Sequence, residues 1–356
     1  MLFEGKRVLV TGGTGSLGQV LVRRLLSGAV GNPAKVVVFS RDEAKQHYMR
    51  LSFEQRAVST DEVIFENFRR RLQFRIGDVR SYADVCAALQ GVDIVINAAA
   101  LKQVPTCEYF PDQAVATNIH GPENIVRAIR DLHLPVEAVV GISTDKACKP
   151  VNVMGLTKAI MERVFIAGAL EVQSSRFLLV RYGNVLASRG SVVPLFLDQI
   201  KRGGPVTITD PLMTRFLLSL EDAVDTIITA LREGRSGETY IPACAAATVP
   251  DIARALIGDR NVATRIIGIR PGEKLHEILI SEEEMRHVER RGDYFAIGAM
   301  LPELATRPIA AGQGLYDEYS SRTAVGPFES TKALLSRHGL LEDTIPDTTA
   351  SDELLR

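Results

Sequence analysis

The chain has 356 residues, 42 Lys plus Arg against 43 Asp plus Glu, a formal net charge of −1 and 46% hydrophobic residues. That length suits one large α/β unit or two coupled lobes, and the near-neutral charge argues against a nucleic-acid partner, since binding phosphates needs surplus Lys and Arg. Four cysteines with no Cys-x-x-Cys pair exclude a zinc knuckle and speak against a disulfide scaffold. No apolar run approaches the roughly 18–20 residues of a membrane helix. Arg7–Val10 already reads as a strand rather than as part of a signal peptide. A cytoplasmic, soluble protein with no membrane partner is expected.

Short β-branched runs alternate with amphipathic stretches, the pattern of βαβ units feeding a parallel sheet. Strands are expected at Arg7–Thr11, Lys35–Phe39, Gln73–Ile76, Asp93–Asn97, Ala138–Ile142 and Phe177–Arg181. Helices are expected at Leu17–Leu26, Ser81–Leu89, Gln113–Leu132 and Met154–Leu170. The fold class is therefore α/β, a Rossmann-type doubly wound parallel sheet with a smaller C-terminal lobe. Residues 1–185 form the dinucleotide-binding domain. Beyond them Gly203-Gly-Pro205, Asp210-Pro211 and Arg270-Pro-Gly272 punctuate shorter elements, so 186–340 reads mainly as a second lobe, with strands allowed to return to the sheet. The acidic stretch 341–356 reads as a flexible tail.

Thr11-Gly-Gly-Thr-Gly-Ser-Leu-Gly18 follows the first strand and opens a helix. Gly12, Gly15 and Gly18 permit a tight turn and close backbone approach, and the helix start at Thr14, Ser16 and Leu17 presents N–H groups to a pyrophosphate. This glycine spacing resembles that of the short-chain dehydrogenase/reductase superfamily. After strand two, Ser40, Arg41 and Lys45 form a cluster suited to a 2′-phosphate, where an NAD enzyme usually has an acidic side chain, so NADP is favoured over NAD. In the alternative, this is a solvated helix start whose Asp42 and Glu43 serve the helix dipole. Asp78 and Val79 suit the adenine edge, and the small side chains of Ala98, Ala99 and Ala100 let the backbone lie against a cofactor.

Strand five runs into Ile142-Ser-Thr-Asp-Lys-Ala147, and the next helix carries Met154-Gly-Leu-Thr-Lys158. Superfamily members usually have Tyr-x-x-x-Lys here. Lys158 is retained, but a thioether at Met154 cannot give or take a proton. The charged pair Asp145-Lys146 at the end of a buried strand would carry a desolvation cost without a use.

Ser143-Thr-Asp-Lys146, Ala100-Leu-Lys-Gln-Val-Pro105, Arg181-Tyr-Gly-Asn-Val185, Met213-Thr-Arg-Phe216 and Arg270-Pro-Gly-Glu-Lys274 together resemble the UDP-N-acetylglucosamine 4,6-dehydratases, extended short-chain dehydrogenases of polysaccharide biosynthesis. The likeness runs from about residue 3 to about residue 300. Met154 with Ala187-Ser-Arg-Gly-Ser-Val192 looks most like the capsule and O-antigen branch, the 4,6-dehydratase/5-epimerases. The resemblance implies a hydro-lyase with internally recycled NADP, acting on UDP-GlcNAc to give a UDP-2-acetamido-2,6-dideoxy-hexos-4-ulose with inverted C5. It implies Lys146 as base at C5, Asp145 as acid at O6, Thr144 beside them and Lys158 on the nicotinamide ribose. A lysine base must be neutral, and burial beside Lys158 pushes its pKa down. The resemblance also places Lys102 and Asn184 at the substrate, Pro194 and Thr207 at the uridine, and Arg215 and Arg270 on the diphosphate, where a planar fork meets phosphate oxygens. It further implies a homo-oligomer, a hexamer or a dimer. No metal is expected, and His276 and His287 read as solvated helix residues. The rival readings are a UDP-sugar 4-epimerase, a C5-retaining 4,6-dehydratase and a non-catalytic NADP-binding relative.

Overall fold

The computed structural model describes residues 1–54, 62–186, 191–304 and 317–341. The chain divides into two compact units: Met1–Gly183, Leu220–Ala243 and Ile278–Tyr319 in the first, and Asn184–Ser219, Cys244–Glu277 and Ser320–Arg356 in the second.

The first unit holds β1 (Arg7–Thr11), β2 (Lys35–Ser40), β3 (Leu72–Ile76), β4 (Ile94–Asn97), β5 (Ala138–Thr144) and β6 (Arg176–Tyr182). They pair in parallel in the order β6-β5-β4-β1-β2-β3, the doubly wound arrangement. Val8, Val10, Val36 and Val38 have no exposed surface. Strands buried on both faces need such continuous β-branched runs, which is why the sequence pattern is readable here. All six strands point their carboxyl ends the same way, so Gly12, Ser40, Gly77, Ala98 and Asp145 emerge along one edge of the sheet.

Expected strand bounds hold to within about two residues, as such assignments do. One helix differs in kind. In place of one helix over Gln113–Leu132, the chain forms Pro111–Val115, a π-helical turn Ala116–His120 and then Gly121–Asp131. Pro122 has no N–H to return to the Asn118 carbonyl, so the regular ladder cannot continue there.

Within 186–340, part of the chain returns to the first unit. Helix Leu220–Glu233, strand Thr239–Pro242 and the stretch Ile278–Tyr319 belong to the first unit. Thr239–Pro242 pairs parallel to β6, and Tyr294–Ile297 and Val288–Arg291 extend the sheet antiparallel to nine strands among the described residues.

The second unit contains two short sheets, Thr214–Leu217 antiparallel to Ala245–Thr248 and Val206–Ile208 parallel to Thr264–Ile266. Its helices Val192–Lys201, Val249–Ile257 and Phe328–Arg337 enclose a core that includes Val193, Phe196, Val206, Ile252, Leu256 and Leu335. Residues 187–190 of the Ala187–Val192 motif and residues 342–356 of the expected tail lie outside the described residues. No helix among the described residues is long and apolar enough to cross a membrane.

Candidate active site

The glycine turn is built around contacts that only a missing side chain allows. Gly12 has φ +64°, and a Cβ on it would lie 2.7 Å from the Ala99 nitrogen and 2.8 Å from the Ala98 carbonyl carbon and oxygen. A Cβ on Gly18 would lie 2.5 Å from Gly13. The helix Ser16–Leu26 starts behind Gly15, which supplies no side-chain cap, so the first-turn N–H groups of Ser16 and Leu17 stay available to a ligand. The Thr11 hydroxyl donates to Asn97 Oδ1 at 2.7 Å and accepts from the Ala99 N–H at 3.2 Å, fastening β1 to β4. Asn97 Nδ2 is a buried donor with no hydrogen bond. This cradle fits the pyrophosphate of a dinucleotide. Asn97 was visible in the sequence only as the residue before the alanine run.

The expected 2′-phosphate cluster is not gathered. Lys45 Nζ pairs with Asp42 Oδ2 at 2.6 Å, while Arg41 is exposed and lies 3.9 Å from Asp78 Oδ2. The Ser40 hydroxyl accepts from the Asp42 N–H at 3.2 Å and lies 3.2 Å from Thr14 Oγ1. Asp78 is gripped by Arg80, Nε at 2.9 Å and Nη2 at 2.6 Å, so its carboxylate is shared rather than reserved for a ligand. Val79 is buried, and its carbonyl accepts from Asn124 Nδ2 at 2.9 Å.

The end of β5 carries the densest chemistry. Thr144 caps a single turn, Asp145–Ala147, and its hydroxyl donates to Asp145 Oδ1 at 2.8 Å. Lys146 Nζ donates to the same oxygen at 3.0 Å. Asp145 is fully buried, whereas the Lys146 side chain keeps 23% of its surface. The helix Val153–Glu171 is capped by Asn152, which accepts from the Gly155 N–H at 2.8 Å. Gly155 lets the helix lie directly on the Lys146 carbonyl: a Cβ there would meet its oxygen inside van der Waals contact and its carbon at 3.0 Å.

Met154 is buried with Cys107 and Ala114, against Leu101, Val104 and Val153. Lys158, one turn on, is 5% exposed, with Nζ 3.0 Å from Met161 Sδ. Burial pulls its pKa down to about 8, opposed by the charge of Glu162. Ala98 and Ala99 are half-buried and Ala100 is exposed. Lys102 is exposed just beyond β4. Its neighbour Leu101 is fixed by Asn118, which accepts from the Leu101 N–H at 2.8 Å and donates to its carbonyl at 3.0 Å and to Thr157 Oγ1 at 3.0 Å. That clamp depends on the π turn and carried no signal in the sequence.

In the second unit, Arg215 is buried, and its Nη1 donates to the carbonyls of Thr214 at 2.7 Å and Leu275 at 3.2 Å. Arg270 is exposed, at a turn where its N–H donates to Glu273 Oε2 at 3.3 Å. The two arginines expected to act alike thus stand in unlike surroundings. Thr207 is engaged on both sides by Gln199, which donates to its hydroxyl at 2.8 Å and accepts from its N–H at 3.0 Å. Pro194 lies in the first turn of Val192–Lys201, and Asn184 Oδ1 is buried with no hydrogen bond. His276 is not a helix residue: its Nδ1 lies 2.9 Å from Thr214 Oγ1 in an irregular stretch. His287 stands in a turn after the helix Glu282–Met285. Among the described residues, no group of three or more His, Cys, Asp and Glu side chains could hold a metal ion.

Comparison with known proteins bears on the family and the fold. A protein named UDP-glucose 4-epimerase from Rickettsia canadensis is 45% identical over 302 residues, 83% of this chain and 84% of its own length. The X-ray structure of Pen from Bacillus thuringiensis superposes with a TM-score of 0.83 at 33% identity, covering 96% of this chain and all of that one. A dTDP-glucose 4,6-dehydratase from Streptomyces venezuelae, solved with NAD bound, shares the fold with a TM-score of 0.63 at 23% identity, covering 76% of this chain and 86% of that one. The profile of one family spans residues 8–299, from the second residue of β1 to the end of the returning sheet strands. The chain belongs to that family, the polysaccharide biosynthesis proteins.

Proposed function

We propose that the protein is an NADP-dependent UDP-N-acetylglucosamine 4,6-dehydratase that inverts C5. The observation that carries this reading is the pairing of a half-buried Lys146 with a fully buried Asp145 at the end of β5, combined with an apolar Met154 where the superfamily keeps its tyrosine. The glycine turn and the Ala98–Ala99 strand end would hold the cofactor, with Lys158 on its ribose and Arg41 nearest the 2′-phosphate. Bound NADP supplies a reversible two-electron sink, emptying C4 and refilling C6.

The pair is suited to elimination because its two members share one hydrogen bond. Moving the proton from Lys146 Nζ to Asp145 Oδ1 across 3.0 Å makes a neutral amine and a carboxylic acid at once. Full burial of Asp145 favours that uncharged form. With C4 as a ketone, Lys146 takes the C5 proton and Asp145 gives its proton to the departing O6. Water leaves, and the ion pair is restored. The Thr144 hydroxyl, donating to the same Asp145 oxygen, holds the acid in place. Pro194, Thr207, Asn184, Arg215, Arg270 and Lys102 are the residues we assign to the UDP-sugar. The proton that the C4 oxygen releases on oxidation goes to solvent. With hydride supplied at C6 by the bound cofactor, a solvent proton reaching C5 on the face opposite Lys146 would give the inverted product.

A second reading, a UDP-sugar 4-epimerase, is favoured by the names of the curated relatives. Both reactions oxidise C4 and so release the C4-oxygen proton, which Met154 cannot take; what separates them is that an epimerase has no use for an acid–base pair at C5 and C6. Turnover of UDP-GlcNAc in D₂O, followed by mass spectrometry and proton NMR, separates the readings. A product that has lost one water and carries deuterium at C5 is expected. An isomer of unchanged mass, epimeric at C4, would establish the epimerase, and unaltered substrate would leave a binding protein.

A further inference from the structure

Behind the Asp145–Lys146 turn, inside the first unit, side chains from separate stretches converge on Arg181 of β6, whose side chain is 2% exposed. A guanidinium has five N–H donors, and here each has a partner. Nε donates to Glu162 Oε1 at 3.0 Å, and Nη2 donates to Glu162 Oε2 at 2.7 Å and to Glu284 Oε1 at 2.9 Å. Nη1 donates to Glu284 Oε2 and to the Leu279 carbonyl, both at 2.8 Å. Glu162 Oε1 also accepts the Ser143 hydroxyl at 2.5 Å. Glu284 completes a capping box with Ser281 at the start of the helix Glu282–Met285, and Cys148 Sγ lies 3.7 Å from it.

One guanidinium facing two carboxylates leaves an excess negative charge in a desolvated place. A balanced buried ion pair is already a weak source of stability, since apolar groups often replace it without loss. An unbalanced one calls for another cation nearby. Lys158 stands four residues before Glu162 on the same face of the Val153–Glu171 helix. Ser143 from β5 and Arg181 from β6 hold the Glu162 carboxylate, while Lys158 stands one turn before it with its Nζ 3.0 Å from Met161 Sδ. Glu284 shares Arg181, and Arg163 acts on Glu284.

We infer that Glu162, gripped by Arg181, is a positioning residue that fixes the Ser143 hydroxyl beneath the catalytic turn and holds Lys158 as an ammonium. Glu284 is what keeps Arg181 from cancelling the charge of Glu162. Burial alone drives Lys158 toward the neutral amine, and Glu162 is the group that opposes it. A purely structural network would set no proton on Lys158. The functional side of the inference rests on the ribose role proposed above for Lys158, but its direct test does not.

The test is the titration of Lys158 in the full chain, read from the ε-carbon resonance of ¹³C-labelled lysine, with Lys158→Arg identifying the signal. The wild-type midpoint is expected near pH 8. Glu162→Gln should lower it by about one pH unit, a tenfold change in the ionisation ratio, and Glu162→Asp should restore most of the shift. Glu284→Gln keeps the Ser143 and Arg181 contacts of Glu162 and should lower the midpoint by less. The fall of kcat/KM at rising pH should move down in parallel. A folded Glu162→Gln protein with the wild-type Lys158 midpoint overturns the inference. If that variant does not fold, an unshifted Glu284→Gln protein overturns it instead. A wild-type protein inert toward UDP-GlcNAc would refute the reaction and leave the lysine titration to be judged by itself.

Discussion

Replacing Gly155 by alanine tests whether the catalytic turn and the long helix are as tightly fitted as the structure requires. Helix propensity alone predicts a gain of about 1 kcal/mol, because glycine is a poor residue in a helix. Packing predicts the reverse. The new methyl would stand 3.0 Å from the Lys146 carbonyl carbon and 3.2 Å from Pro150 Cβ, and closer still to the Lys146 oxygen. Ordinary contact begins near 3.5 Å, so the turn and the helix must part by roughly 1 Å. The oxygen is backbone and cannot rotate away. Overpacking of this kind costs about 1–3 kcal/mol, enough to reverse the propensity gain. Moving Lys146 and Asp145 relative to Lys158 by that distance should lower turnover by up to about 10²-fold, with little change in KM for the nucleotide sugar. Thermal denaturation and steady-state dehydration are the assays. A Gly155→Ala protein as stable and as active as wild type would refute the reasoning.

Three other outcomes follow from the site. Lys146→Ala should abolish deuterium exchange at C5 and the elimination, whereas Asp145→Asn should keep the exchange and slow loss of water, each by about 10²–10⁴-fold; NMR in D₂O measures both. Arg41→Ala should weaken NADP binding by about 1.5–3 kcal/mol in calorimetry and leave NAD binding nearly unchanged, and equal losses would remove the 2′-phosphate assignment. Met154→Leu keeps an apolar side chain of similar volume in the seat formed with Cys107 and Ala114, so turnover should stay within about tenfold; a larger loss would show that the thioether itself has a role.

The inner strands of the parallel sheet were legible because they are buried on both faces, which demands unbroken runs such as Val8–Val10 and Val36–Phe39. The glycine turn was legible for a similar reason: backbone meeting backbone at Gly12 and Ala98–Ala99 leaves few residue choices. What stayed hidden depends on partners distant in sequence. Even close in the chain, the engagement of Lys45 by Asp42 at 2.6 Å and of the Thr207 hydroxyl and N–H by Gln199 carried no mark in the sequence. Arg181 was visible only as a letter in a motif. Its partners stand 19 and 103 residues away, and no local period marks such a pairing. The π turn was only half visible: Pro122 marks the break in the ladder, but the reach of Asn118 to Leu101 and Thr157 does not show in the sequence.

Met154 and the Asp145–Lys146 pair are best understood as one exchange. A tyrosine at position 154 would bring a phenol into a seat lined by Cys107, Ala114, Leu101, Val104 and Val153, none of which offers a charged or hydroxyl side chain. An apolar seat of this kind suits a thioether. At the neighbouring turn the balance runs the other way. Asp145 is fully buried, accepts from both Thr144 and Lys146, and lies at the end of a strand that could have ended in apolar residues at no such cost. Polar chemistry has therefore been withdrawn from the helix and placed on the strand end, one turn of chain away. A reaction that must move protons at C5 and O6 is served by that placement, while the C4-oxygen proton, which dehydration and epimerisation must both release, is not handled from position 154.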